Sequence, residues 1–124
     1  MASSGNLKTI VLVVEDEPVL RMNAVDMVED AGFDCIEAAN AKQAMELLEA
    51  RTDIAIILSD ISMPPGMDGT ELVAIVRDRW PPIKIILLSG QFALGDVELP
   101  EGGMFFSKPY RSEAVIAAMN QLVA

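Results

Sequence analysis

The segment Ile54-Ala55-Ile56-Ile57-Leu58-Ser59-Asp60 runs an unbroken apolar, largely β-branched stretch straight into a carboxylate. Ile61-Ser62-Met63-Pro64-Pro65-Gly66-Met67-Asp68-Gly69 follows. It cannot extend a strand, because Pro has no N–H to give and Gly weakens the ladder. A short apolar run without alternation, closed by breakers, fits a strand covered on both faces, as in a parallel sheet. Asp60 then stands at the carboxyl end of that strand, the edge of an open α/β sheet where ligands bind. Taken alone, Asp60 reads equally well as a loop cap through an Asx turn.

The rest of the chain repeats the pattern. Thr9 to Val14 is a second continuous apolar run, ending in Glu15-Asp16-Glu17-Pro18, where acids and a proline signal a helix start. Val19, Leu20, Asn23, Ala24, Met27, Val28 and Ala31 keep helical spacing, and Gly32 closes the helix. A weaker strand over 33–38 contains Cys35, read as a core residue. Asn40 caps a helix over 41–51, with Ala44, Met45, Leu47 and Leu48 inward. After the strand into Asp60, Asp68 caps a helix over 69–79, which Trp80 covers at its end. Strands over 83–88 and 104–107 run into Ser89-Gly90 and Lys108-Pro109, and a helix over 111–123 closes the sequence.

Five strands alternating with helices predict one α/β domain over 1–124, with a parallel sheet and right-handed crossovers. Residues 1–6 read as a frayed tail. No output domain is expected within this chain. The crossover over 91–103 carries Gly95, Pro100, Gly102 and Gly103, so a loop or one short turn is expected there, an ordinary helix being the alternative.

Composition narrows the function. A net charge of −10 argues against nonspecific binding to nucleic acid or to an anionic membrane. The absence of histidine removes His-based catalysis and His metal ligands. One cysteine excludes an internal disulfide framework and fits a reducing compartment, and Thr9 to Val14, too short for a signal peptide or a membrane span and followed by acids, leads to an expected cytoplasmic location.

The predicted strand ends bring Glu15, Asp16, Asp60, Ser89 and Lys108 to one edge. Each has a bland reading as a cap or an ion pair, but their coincidence on one edge does not. Carboxylates about 5 Å apart at an effective dielectric of ~20 repel by about 3 kcal/mol per pair, so a cation is expected among them. Hard oxygen ligands without His or Cys select Mg2+, with Mn2+ as the alternative.

The pattern resembles the receiver domain of two-component response regulators over essentially the whole chain. The residues that carry the likeness are Val11 to Pro18, Leu58-Ser59-Asp60-Ile61-Ser62-Met63-Pro64, Gly66-Met67-Asp68-Gly69, Leu88-Ser89-Gly90 and Lys108-Pro109-Tyr110. The resemblance implies a flavodoxin-like doubly wound sheet in the order 2-1-3-4-5, here with the fourth helix shortened or replaced by a loop. It implies Asp60 as phosphoacceptor, with Asp16, Asp60 and the Ser62 backbone carbonyl on Mg2+ and Glu15 holding the metal through water. Ser89 and Lys108 would bind phosphoryl oxygens, Ser89 and Phe105 would form the switch, and the Lys108-Pro109 bond would be cis. The implied donor is a phosphohistidine on a histidine kinase or histidine phosphotransfer protein. The chain would be no enzyme beyond its own aspartyl phosphorylation and dephosphorylation. Pro64-Pro65 and the glycine-rich 91–103 depart from the family pattern, and Met63 and Met67 are expected to be exposed in the loop after the acceptor. The competing readings are a phosphorylation-independent interaction module of the same fold and a phosphatase-like hydrolase. The hydrolase would need a second general acid near Asp60, where Ser62 stands instead.

Overall fold

Every apolar run identified in the sequence forms a strand. The computed structural model describes residues 9–61, 68–89 and 103–123. Their elements are β1 (Ile10–Val14), α1 (Pro18–Asp30), β2 (Asp34–Ala38), α2 (Ala41–Ala50), β3 (Ile54–Asp60), α3 (Gly69–Arg79), β4 (Lys84–Ser89), β5 (Met104–Ser107) and α4 (Ser112–Leu122). The expected tail over 1–6, the unusual crossover over 91–102, and Ser62, Met63, Pro64, Pro65 and Met67 all lie outside the described residues.

The strands form one parallel sheet in the order β2-β1-β3-β4-β5. From β1 the chain steps outward to β2, then crosses back to β3 on the other side of β1. The strand order therefore reverses at the β1/β3 boundary, and a crevice opens at the carboxyl ends there. Register sets the level of each end. Val14 pairs with Ser59, Asp60 with Leu88, and Ser89 with Ser107. Glu15 thus follows β1 at the height of Asp60, and Lys108 follows β5 just above Ser89.

Alternate residues of each strand serve two cores, as the period-two geometry of a strand requires. Leu12, Val14, Ile57, Ile85 and Leu87 pack with Leu48 of α2 and Leu72 and Val76 of α3. Val11, Val13, Leu58, Ile86 and Leu88 pack with Val28 of α1 and Val115 and Met119 of α4. Burial on both faces explains why these strands read as continuous apolar runs.

The helix ends follow local chemistry. Glu17, not an earlier acid, caps α1 by accepting from the Val19 amide at 3.3 Å. Gly32 closes α1 at a φ of 97°, a conformation side chains resist. Asn40 caps α2 through the Gln43 amide at 2.8 Å. Trp80 ends α3 half-buried, with the Arg79 guanidinium 4.5 Å from its ring centroid.

Helical spacing and burial part company in α1, and the reading of Cys35 needs correction. Val19 and Leu20 keep helical spacing but are 60% and 43% exposed, as is Met22 at 60%. The buried stripe of α1 is Ala24, Met27 and Val28. The first turn lies over a cavity of about 480 Å3, lined by Leu20, Asn23, Leu88 and Tyr110 among others, rather than over packed side chains. Cys35 is half-buried, not a core residue, because β2 is an edge strand. Its thiol is pushed up to about 12 by burial and by the nearby charges of Glu29 and Glu37.

Asp68 forms a reciprocal cap on α3. Its Oδ1 accepts from the Glu71 amide at 2.9 Å and the Thr70 hydroxyl at 2.6 Å, while its own N–H donates to Glu71 Oε1 at 3.1 Å. Burial acts to raise the Asp68 pKa, but the hydrogen bonds from Thr70 and from the Glu71 amide outweigh it, and the net direction is downward. A carboxyl lowered on folding adds stability above its unfolded pKa and loses it as pH falls through the folded value. Asp68→Ala is predicted to cost about 1 kcal/mol near neutral pH in urea unfolding. The gap to wild type should narrow once the pH drops below 3.8.

Candidate functional site

The carboxyl ends of β1 and β3 place their acids together. Glu15, Asp16 and Asp60 each present a carboxylate oxygen, all within 4.8 Å of one another. Glu15 and Asp60 are buried, while Asp16 is exposed, so the cluster is walled on one side and open on the other. Lys108 reaches in from the end of β5. Its Nζ lies 2.8 Å from Glu15 Oε1 and 3.4 Å from Asp60 Oδ1. The Glu17 amide donates to Glu15 Oε2 at 3.2 Å.

The electrostatics follow from that crowding. Burial raises the Glu15 pKa, and the Asp60 charge adds to it, against the lowering bond from Lys108. Burial alone would lower Lys108, but its bonds and attraction to Glu15 and Asp60 prevail and hold the ammonium above its ordinary value. One ammonium, paired with two of the three carboxylates, leaves the cup negative. The donor set is all hard oxygen, with a solvent-open side where a cation can keep its waters. These residues fit Mg2+.

The main chain builds the rest of the rim. β4 ends in Ser89, which is buried and pairs across to Ser107. The Lys108 amide donates to the Ser89 carbonyl at 2.7 Å, so the lysine is fixed to the serine through the backbone. The Ile61 amide donates to the Leu88 carbonyl at 3.0 Å, carrying the ladder one residue past Asp60. The Lys108-Pro109 bond is cis. Phe105 is half-buried against the core cluster on the α2/α3 face. Of the residues expected at the site, Glu15, Asp16, Asp60, Ser89 and Lys108 come to this one edge, and Ser62 lies outside the described residues.

Sequence reading missed the part played by Gly69. Its amide donates to the Ile61 carbonyl at 2.7 Å, and α3 begins pressed against the backbone that carries Asp60. A Cβ at Gly69 would overlap the Asp60 carbonyl oxygen and approach Ile61 Cα to 2.8 Å. The Asp68-Gly69 pair was visible, but only as a cap and a breaker. The close approach is a property of the packed fold.

Comparison with known proteins gives the family. The family model for the response regulator receiver domain matches residues 11–120. The chain belongs to this family. It is 31% identical over 109 residues to the response regulator protein FleR of Pseudomonas aeruginosa, covering 86% of this chain and 23% of that protein. It is 40% identical over 81 residues to the sensor kinase CckA of Brucella abortus, covering 64% of this chain and 8% of that one. The receiver thus spans less than a quarter of the length of these curated relatives. A solved response regulator receiver protein from Sinorhizobium medicae superposes with a TM-score of 0.85 at 26% identity, covering 94% of each chain. A receiver domain from Clostridium thermocellum shares the fold at a TM-score of 0.85 and 21% identity, covering 93% of this chain and 94% of that one.

Two outcomes follow from this geometry. Gly69→Ala is predicted to destabilise the receiver by about 1–3 kcal/mol, because the methyl meets main chain that cannot rotate away. In an open helix the same change would stabilise by up to about 1 kcal/mol, so the sign in urea unfolding decides. Asp60→Asn is predicted to raise the melting temperature in EDTA by a few degrees. Asp60 carries a burial cost and faces two like charges at ~3 kcal/mol each, against one shared ammonium. A lower melting temperature would contradict the clustered charge.

Proposed function

We propose that this receiver takes a phosphoryl group onto Asp60 from a phosphohistidine and signals or relays through that aspartyl phosphate. The observation that carries the reading is the meeting of Glu15, Asp16 and Asp60 at one strand edge, with the Lys108 ammonium against Glu15 and Asp60. Structural acids are seldom gathered this way, because each like pair costs folding energy.

The roles follow from position. Asp60 Oδ attacks phosphorus; the new O–P bond forms as the N–P bond of the donor imidazole breaks, and the imidazole keeps the electron pair and takes up a proton. The transition state is loose, so positioning and charge neutralisation do most of the work. Lys108, already 3.4 Å from Asp60 Oδ1, offsets charge on a phosphoryl oxygen. The Ser89 hydroxyl donates to another. Bound Mg2+, held by Asp16, Asp60 and the Ser62 carbonyl with Glu15 behind a water, would supply further charge neutralisation. Inward movement of the Ser89 hydroxyl vacates space for Phe105, which passes the change to the face beside β5. The chain catalyses only the gain and loss of its own phosphate.

The donor is a histidine kinase or histidine phosphotransfer protein. It must bring an imidazole over Asp60, and the apolar first turn of α1 lies beside that path. Exposed Val19, Leu20 and Met22 give such a partner a dry contact without adding charge to an already acidic rim. This reading places the chain in the cytoplasm; among the described residues no helix is long and apolar enough to cross a membrane.

Incubation with acetyl phosphate and Mg2+ is predicted to add one phosphoryl group by intact mass, and Asp60→Asn to abolish the addition. Labelling that persists in Asp60→Asn would move the acceptor elsewhere and overturn the proposal.

A further inference from the structure

We propose that Arg21 is a positioning residue for the acids of the cup, acting through the main chain of Glu15. The inference rests on the reading of that cup as a Mg2+ site. Arg21 Nη1 donates to the Glu15 carbonyl at 3.0 Å, and Nε donates to Glu37 Oε1 at 3.0 Å. On the other side of the same residue, the Glu15 amide donates to the Ala38 carbonyl at 3.1 Å. Both main-chain groups of Glu15 are thus tied to the end of β2, one directly and one through Arg21 and Glu37.

The carbonyl of Glu15 belongs to the peptide that joins it to Asp16. β1 ends at Val14, so that peptide lies past the strand ladder, in the turn between strand and helix. The guanidinium supplies what the ladder no longer does. Its donors lie in one rigid plane, and the bond to the Glu37 carboxylate is charge-assisted, so the plane is itself anchored. With the peptide fixed, the two carboxylates on either side of it leave the backbone in set directions. Arg21 touches neither carboxylate of the cup in this arrangement; its bond goes to a carbonyl.

Partners that orient ligands of a metal typically change its affinity 10–100-fold when removed. Charge alone predicts the opposite sign. Taking a cation from the neighbourhood of an acidic cup should tighten Mg2+ binding, whereas loosening the Glu15–Asp16 peptide should weaken it.

The test is Mg2+ titration calorimetry on the full chain, with melting temperatures recorded in EDTA. Arg21→Met keeps the aliphatic stem and removes the donors; it is expected to weaken Mg2+ binding about 10–100-fold. Arg21→Lys should recover only part of this, since an ammonium cannot span both acceptors in one plane. Glu37→Gln keeps an acceptor for Nε and should bind Mg2+ within about twofold of wild type, whereas Glu37→Ala should fall between wild type and Arg21→Met. Unchanged or tighter binding by Arg21→Met overturns the inference alone. If Arg21→Met does not fold, wild-type affinity in Glu37→Ala overturns it instead. A wild-type protein that binds no Mg2+ overturns the metal-site reading together with this one.

Discussion

Like charge held at close quarters is the constraint on which this receiver is built. Two of its three clustered carboxylates, Glu15 and Asp60, are buried, and buried charge is costly unless it is compensated. Lys108 compensates from the far end of the chain, across 93 residues from Glu15. A loop could not hold such a group against its own repulsion. The acids instead sit one or two residues past, or at the last residue of, neighbouring strands whose register is set by two apolar cores. The cores therefore do more than stabilise the chain: slipping β1 by one residue against β3 would carry Glu15 away from Asp60 and turn every β1 side chain to the other face.

What could be read from the sequence follows from how local each signal is. The run into Asp60 was legible because burial on both faces leaves an unbroken apolar string. The caps at Asn40 and Asp68 were legible because the bonds they make lie within three residues. The meeting of the acids needed one further step, the strand order, and the resemblance to receivers supplied it. The exposure of Val19 and Leu20 was not legible. Helical spacing says which residues share a stripe, but not how far along that stripe the packed helix and sheet extend. Cys35 misled for a similar reason, since an edge strand and an inner strand look alike when both are short.

The two residues that sequence reasoning passed over, Gly69 and Arg21, act on backbone. Gly69 lets α3 start against the Asp60 carbonyl, and Arg21 holds the Glu15 carbonyl. Neither leaves a chemical signature in the sequence: a glycine in a loop reads as a breaker, and an arginine on a helix as a solvated charge. Their effect depends on which carbonyl lies within reach, and that is settled only when strand ends and helix starts have been packed. A site made of side chains is therefore visible in a sequence well before the scaffold that aims them.

The apolar start of α1 belongs to the same logic. Further charge beside the cup would add to its repulsion if acidic, and would compete with Lys108 or a metal for the carboxylates if basic. Apolar side chains do neither. Under the proposed phosphotransfer, a chain without histidine draws its phosphohistidine from another protein, and these side chains offer that protein a contact. Apolar side chains at that helix start would hold such a protein without adding to the charge of the cup. The three exposed side chains at Val19, Leu20 and Met22 are thus poor as core and well suited as contact. That difference accounts for a helix whose second half is packed and whose first turn is not.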